Sequence, residues 1–537
     1  MDTYVVEEFT DAERRILSRF FTNIDKPVYA VINLPDLVKG ALFARYSRSP
    51  KSIRRLFLDE FVGELDGIEG QSSTASVGFE RAAELYERVF VEYGDDSVAQ
   101  LSGVHIACEQ ASNLLTKVLE WGRLASYMEQ STRYIAYDGL TNGRYRYYRD
   151  PGVLKSDLGS RYITDLDAIF ADYAKLVPKV LAHVRATNPK MDSDSSFVYN
   201  NATKAKALDA VRGMLPAAAV SNVGMYGSAQ AYEQMLLRMR AHPLPEARAY
   251  SDMILEELRK VVPTFVRRVD MADRGQVTTD YLATNHRLMS DLSAELVGLE
   301  AEPDQSTGVE LVDYDPEAET KLVASMLFPY TNRSEVELER TVDKMSVEDR
   351  IRVIRTYTGD RSNRRHRPGR ALERVFYRFD VLADYGAFRD IQRHRMATIE
   401  WQTLNPYHGY VRPELVDQAG AVNAFESTME RSAGLYDALK QDFPAQAAYA
   451  VSLAYRIRFN MNINARSAMH TLELRSTPQG HEAYRVVAQQ MHAQIADVAG
   501  HHAVAAMMSF VDHSSQADLE RLDSEKRSEA RRAGVVA

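Results

Sequence analysis

Arg393, His394 and Arg395 place two guanidiniums and an imidazole in three consecutive positions of "RHRMATIEWQTLNPY". Planar cationic donors suit phosphate or carboxylate groups gripped in bidentate fashion. An isolated basic triplet sits equally well on a solvated turn. Upstream, "WGRLASYMEQSTRY" runs from Trp121 to Tyr134, and Glu129, Ser131 and Arg133 alternate within it. An extended backbone would point all three the same way. Carboxylate, hydroxyl and guanidinium on one face could read a nucleotide, or form the polar face of an edge strand. "NINARSAMHTLELR", Asn462 to Arg475, is expected to be helical, with Asn464, Ala468, Thr471 and Arg475 near one face. Such a wall could hold a planar ring, or simply be the polar side of an amphipathic helix. The densest basic cluster is "RSNRRHRPGR", Arg361 to Arg370, which could receive a polyphosphate or polyglutamate tail or be a solvated loop. His501-His502 has no third ligand at metal-binding spacing, so no metal site is expected.

The elements that must position these residues occur twice. Arg123, Ala125 and Ser126 fall in register with Arg395, Ala397 and Thr398. "PVYAVINLPDLVKGALFARYS" and "GVELVDYDPEAETKLVASMLF" each read as strand, turn and helix ahead of one copy of the motif. An aromatic-proline or aromatic-Asp-Pro turn follows each copy ("YYRDPGV", "YVRPELV"), then long helical patterns and a Leu-x-x-Arg element ("LLRMRAHP", "LELRSTPQ"). Four landmarks in one order point to tandem duplication. The acidic, turn-rich "GLEAEPDQSTGVE" marks the junction, giving repeats at 1–297 and 307–537 around a linker at 298–306. The last stretch, "SQADLERLDSEKRSEARRAGVVA", alternates charges as a solvated helix or frayed tail does. Long helices with short strands around the motifs predict an α+β class, with a mixed or antiparallel sheet.

Bulk properties narrow the partners. A chain of 537 residues exceeds what one core usually supports. A net charge of −9 gives no electrostatic reason to expect nucleic acid. The single cysteine, Cys108, excludes an intrachain disulfide framework and a cysteine-based zinc site. The acidic N-terminus lacks a signal-peptide layout, and no apolar run reaches membrane-spanning length, so a cytoplasmic location is expected.

Laid over one another, the two copies give RHR and Glu-x-Ser-x-Arg-Tyr as parts of one motif, followed downstream by Asn-Ala-Arg and a helical Leu-x-x-Leu-x-Leu-Arg. This arrangement resembles the flavin-dependent thymidylate synthases. Those enzymes are usually single-motif chains of about half this length that assemble as tetramers, with the nucleotide between subunits. The resemblance covers about 27–290 and 307–512. It implies that one subunit supplies the first Arg of RHR and the helical Leu-Arg, here Arg393 and Arg475. The other supplies the Glu-x-Ser-x-Arg segment and an Arg before Leu-Pro, here Glu129, Ser131, Arg133 and Arg212. The reciprocal set has decayed. Trp121 and Gly122 replace Arg-His, Thr403, Asn405 and Pro406 replace Ser, Arg and Tyr, and Ala448 replaces the pre-Leu-Pro Arg. Losses gathered in one set imply that the two half-motifs form one composite site.

By the same resemblance, FAD contacts fall to Arg393, His394, Arg395, Glu129, Asn464, Arg466 and His470, where His470 stands at a position commonly Asn. The family's Gly-His-x-Ser/Thr becomes "GDDS", keeping Ser97, in the first copy, and Arg370 replaces that hydroxyl in the second. The implied reaction is reductive methylation of dUMP at C5, with NADPH as reductant and methylenetetrahydrofolate as one-carbon donor. Ser131, Arg133 and Arg212 would hold the phosphate, and Arg475 would favour the anionic form of the pyrimidine. A homodimer resembling a pseudo-tetramer is expected. Two other readings stay open: C5 methylation or hydroxymethylation of another pyrimidine nucleotide such as UMP, and a non-catalytic nucleotide-binding regulator.

Overall fold

The computed structural model describes residues 7–27, 29–35, 38–39, 42–43, 49, 51–62, 100, 103–192, 194–298, 308–514, 522 and 526. Ser97, nearly all of the expected linker and most of the charged C-terminal stretch lie outside them. So do many positions of "PVYAVINLPDLVKGALFARYS", where Val31 makes a single antiparallel bridge to Phe21.

Along the chain come β1 (Gly103–Ser112), α1 (Asn113–Leu119), β2 (Ala125–Glu129), α2 (Gly159–Thr187), α3 (Ser196–Val211), β3 (Val220–Ser228) and α4 (Ala229–Ala241). Next are α5 (Pro245–Val261), α6 (Gly275–Leu296), β4 (Gly308–Tyr314), α7 (Ala318–Leu327), α8 (Val347–Thr358), β5 (Phe376–Asp384) and α9 (Tyr385–Ile391). β6 (Thr398–Trp401), α10 (Val422–Leu439), β7 (Arg456–Asn464), α11 (Ala465–Arg475) and α12 (Glu482–Asp497) follow. Strands and helices group into an α+β fold with two sheets, ordered β1-β3-β2 and β4-β5-β7-β6. Among the described residues no helix is long and apolar enough to cross a membrane.

Four strands run straight into helices, and the residue at each switch caps the helix. Ser112, Ser228, Asp384 and Asn464 accept hydrogen bonds from the backbone N–H of Leu115, Ala231, Ala387 and Ser467. Each satisfies one of the donors that a helix start leaves unpaired. The same junction built four times is the duplication expressed in backbone.

The chain separates into two compact units. One takes residues 1–109, 124–129 and 222–300. In it β2 pairs antiparallel with β3, from Ala125↔Gly227 to Glu129↔Val223. Tyr232 of α4 anchors its phenol on the carbonyls of Val104 and Met225, and Arg268 clasps Glu233 at 2.8 and 3.0 Å.

The other unit takes residues 110–123, 130–221 and 301–537. Its four-stranded sheet is antiparallel throughout. In β7, "RIRFNMNIN", Ile457, Phe459, Met461 and Ile463 are buried and Arg and Asn alternate with them. The helix expected from Asn462 is therefore corrected: the strand runs through Asn464, whose side chain caps a helix that starts at Ala465. Phe388 of α9 packs on Phe459 and Trp401 with ring centroids 5.1 and 5.3 Å apart.

Within this unit, equivalent residues of the two copies meet. Tyr385 donates to the Asn113 carbonyl, and Lys117 donates to the Arg389 carbonyl, both across 272 positions. That is the same offset that aligns Arg123 with Arg395. Pro216 bridges to Ser452, the residues that follow Arg212 and Ala448 at equal distance. Contacts between like positions are what a two-fold axis produces. The fused copies therefore meet in the self-complementary way of a dimer. The tail's Leu522 joins Val198, Tyr199 and Ala202 in a small apolar cluster, and Lys526 pairs with Asp194.

Candidate active site

Arg133, Arg212, Arg393 and Arg475 converge in the second unit around two carboxylates, Asp209 and Asp390. The first two arginines come from the N-terminal copy and the other two from the C-terminal copy. Arg133 forks onto Asp209 through Nε and Nη2, both at 2.8 Å, and its Nη1 donates to the Tyr484 hydroxyl at 2.9 Å. Burial works against the charge, but Asp209 outweighs it and holds the Arg133 guanidinium firmly protonated. Arg212 lies 3.7 Å from Asp390 and is 4% exposed, and its buried Nη2 has no hydrogen-bond partner among the described residues. Arg475 donates from Nε to His394 Nε2 at 2.9 Å and from Nη2 to the Asp390 carbonyl, with Nη1 3.8 Å from the Asp390 carboxylate. Its guanidinium lies 5.3 Å from the ring centroid of Tyr484.

Electrostatics follow from this count. Burial alone would raise the Asp390 carboxyl, but Arg212, Arg475, Arg393 and Arg133 overcome it and hold its pKa at about 2. Asp384 stands beside Arg212 as a third carboxylate, so four guanidiniums face three carboxylates and positive charge is in excess by one. A net positive, arginine-rich cluster attracts a phosphate monoester, which carries about −1.5 to −2 near neutrality. Arg393 also lies 3.6 Å from Glu120, which is paired internally with Lys117. Gly386 is required beside Arg212, because a Cβ there would stand 2.9 Å from Asp384 Oδ1 and 3.3 Å from Arg212 Nη2.

The imidazoles nearby are neutral. His481 is pushed down to about 3 by burial and then by Arg212, and it contacts the Asp209 carbonyl at 3.3 Å. Burial, Arg475 and His470 hold His394 well below its ordinary value. Its Nδ1 meets the Thr471 hydroxyl at 3.1 Å. His470 is depressed to about 4 by burial and by Arg367, Arg364 and Arg475.

The remaining sequence-derived residues divide. Asn464, Arg466 and His470 lie on the α11 side with His394, whose ring meets His470 edge-on at 5.9 Å. The Asn464 side chain is already engaged as the helix cap at 2.8 Å. Arg466 bonds the Pro368 carbonyl at 3.1 Å and Glu373 at 3.3 Å. Arg395 is exposed and Arg393 half-buried. Glu129 is buried at the end of β2, in the first unit. The expected extended run through Glu129, Ser131 and Arg133 is corrected: the strand stops at Glu129, and Ser131 opens a turn. Its hydroxyl accepts from the Arg133 N–H at 3.2 Å and its carbonyl from Tyr134 and Ile135 at 3.3 Å. A serine side chain offers the backbone this alternative to a ladder. The turn swings Arg133 toward Asp209 instead of along a strand face.

In the reciprocal set, Arg123 is exposed and donates to Thr398 at 2.8 Å. Asn405 closes a local turn on Thr403 and Tyr407. Cys108 is buried, which pushes its thiol up to about 12. Among the described residues no three His, Cys, Asp or Glu side chains are grouped to hold a metal.

Asp209, Asp390, Tyr484 and His481 were not legible as site residues in the sequence. Two of them left a signal, because Asp209 and Asp390 each stand one helical turn before a site arginine, Arg212 and Arg393.

A UPF0159 protein of Chlamydia muridarum is 38% identical over 531 residues, spanning 97% of this chain and 99% of its own. One of Chlamydia pneumoniae is 39% identical over 528 residues, spanning 97% and 98%. Among solved structures, the UMP/dUMP methylase PolB of Streptomyces cacaoi bound with 5-Br dUMP is 19% identical. It covers 38% of this chain and 97% of its own, with a TM-score of 0.29. Thymidylate Synthase X of Helicobacter pylori with FAD and dUMP is 17% identical over 38% of this chain and 99% of its own, also at 0.29. Structural scores this low identify no function. The profile of the family described as thymidylate synthase complementing protein matches residues 41–264 and again 310–500. The chain therefore belongs to the thymidylate synthase complementing protein family, as a tandem fusion of two diverged copies.

Proposed function

We propose that the chain reductively methylates dUMP to dTMP at one composite site, built from Ser131, Arg133 and Arg212 of the first copy and Arg393 and Arg475 of the second. The observation that carries this reading is the buried Nη2 of Arg212, unpartnered among the described residues, inside a cluster where arginines outnumber carboxylates. A buried donor without an acceptor is costly, and a phosphate oxygen would satisfy it. Arg133 keeps its orientation through Asp209 and contributes charge, and Ser131 lies two residues away at the same turn.

The flavin-side donor set suits a planar heterocycle that gains negative charge. Arg393, Arg395 and Arg466 are cationic, His394 and His470 are held neutral, and the amide nitrogen of Asn464 remains for a ligand while its oxygen caps α11. These residues are our assignment for FAD. Hydride transfer is the chemistry a bound flavin supplies, with NADPH as reductant and methylenetetrahydrofolate as one-carbon donor.

Uracil is a poor carbon nucleophile until N3 and its carbonyls gain anionic character. Arg475, fixed by His394 and the Asp390 carbonyl, is the guanidinium assigned to favour that form. No cysteine nucleophile is invoked. Tritium release from [5-³H]dUMP, with FAD, NADPH and methylenetetrahydrofolate present, tests the proposal together with recovery of dTMP. Release from labelled UMP in place of dUMP would replace the substrate, and release from neither would overturn the reading.

A further inference from the structure

The basic stretch from Arg361 to Arg370 has no part in the nucleotide site, and its geometry is not that of a solvated tail. α8 ends at Gly359, whose φ of 63° reverses the chain at little steric cost. The loop closes where the Tyr357 hydroxyl accepts the Ala371 N–H at 3.1 Å. Gly369 packs there so tightly that a Cβ would stand 2.2 Å from the Tyr357 oxygen. Arg361, the first of its five arginines, is an internal brace. It is 3% exposed, makes two 2.6 Å bonds to Glu473, and bonds the carbonyls of His366 and Met507. Asn363 Nδ2 contacts His366 Nε2 at 3.1 Å, and Arg466 holds the Pro368 carbonyl from outside. Arg370 is neutralised by Glu373 at 3.0 Å.

Arg364, Arg365 and Arg367 remain. None is paired with a carboxylate among the described residues. Arg367 Nη2 meets His470 Nδ1 at 3.1 Å, Arg364 is half-buried and Arg365 exposed. Like charges fixed on a braced loop repel one another. A ligand bringing several negative charges relieves that repulsion, and it meets donors whose backbone is already ordered.

We propose that Arg364, Arg365 and Arg367 form a preorganised site for a linear multivalent anion, with the Arg367–His470 contact as its inner end. A phosphate chain and a chain of γ-linked carboxylates share the required chemistry, and guanidinium forks accept both. The site adjoins the flavin-side set of the proposed function through His470 and Arg466, so titrations are run with and without FAD to keep the two readings apart.

The test is calorimetric titration of the full chain with inorganic tripolyphosphate and, separately, with tri-γ-glutamate. Wild type, the Arg364→Ala/Arg365→Ala double variant and Arg370→Ala are compared, with circular dichroism confirming folding. The double variant should weaken binding about tenfold or more. Arg370→Ala, whose charge Glu373 already neutralises, should stay within about twofold. Tighter binding of tripolyphosphate assigns a phosphate chain, and tighter binding of tri-γ-glutamate assigns a carboxylate chain. Equal affinity of wild type and the double variant for both probes, or binding of neither, overturns the site. So does loss of tripolyphosphate binding on FAD loading together with loss of FAD retention in the double variant, which would give the loop to the flavin.

Discussion

Replacing Arg475 with Gln removes one guanidinium from the site while leaving a polar side chain of similar reach. Two of its contacts are structural, Nε to His394 Nε2 at 2.9 Å and Nη2 to the Asp390 carbonyl. Only Nη1, 3.8 Å from the Asp390 carboxylate, is loosely held and open to a ligand. One charge-assisted hydrogen bond is therefore at stake, about 1.5–3 kcal/mol, or roughly 10- to 150-fold in Kd. Arg133→Gln in the other copy should weaken binding by a similar factor, since it too removes one guanidinium from the cluster. Arg123→Ala, at an exposed side chain that donates to Thr398, should change Kd by less than about twofold. Calorimetry with dUMP on FAD-loaded protein measures all three, with thermal melts to confirm folding. Arg475→Gln also removes the neighbour that most depresses His394 after burial, so that imidazole should titrate higher by NMR. A loss below about threefold for Arg475→Gln, or an equal loss for Arg123→Ala, would refute the argument.

Acidification should destabilise the protein below about pH 6.5, because His394, His470 and His481 are neutral in the fold and free to protonate when unfolded. Their contribution is complete above the unfolded value and is lost as pH falls toward about 4 for His470 and about 3 for His481. The slope is at most about 1.4 kcal/mol per pH unit per imidazole, so urea melts at pH 8 and pH 5 should differ by about 2–4 kcal/mol from the two most buried rings. Coincident melts would contradict this. Arg361→Met strands the buried carboxylate of Glu473 and should cost about 3–5 kcal/mol, read as a lower Tm. Adding Glu473→Leu should restore much of it, and a single variant as stable as wild type would show the brace to be dispensable. Asn464→Ala loses the α11 cap, about 0.5–2 kcal/mol. Asn464→Ser should recover that stability but not flavin retention, and recovery of both would limit Asn464 to capping.

Local pattern carried much of this fold. The helix within "NINARSAMHTLELR" and the strand-turn-helix at Gly308 to Leu327 are short-range signals and both are present, although the helix starts at Ala465 and its first three expected residues finish β7. Four arginines taken from four segments of the two copies converge on one cluster. What stayed hidden depends on tertiary neighbours. Nothing in "EQSTRY" announces that Ser131 will cap a turn, because that choice rests on where the partner strand ends and on Asp209 waiting for Arg133. Arg361 looks like any loop arginine until Glu473 arrives from α11. The compact units also cut across the repeat boundary, since residues 110–123 and 130–221 pack with the C-terminal copy. Periodicity describes each repeat and is silent about which parts of two repeats share a core.

The central claim is that nucleotide and flavin share one pocket assembled from both copies. Its most direct test is the visible absorption spectrum of the full chain loaded with FAD, desalted, and then titrated with dUMP. Retained flavin whose bands shift on adding dUMP, with the shift abolished by Arg475→Gln and kept by Arg123→Ala, is the result expected here. Flavin that is not retained even when dUMP is present throughout loading, or a shift that survives Arg475→Gln and disappears with Arg123→Ala, would contradict the account.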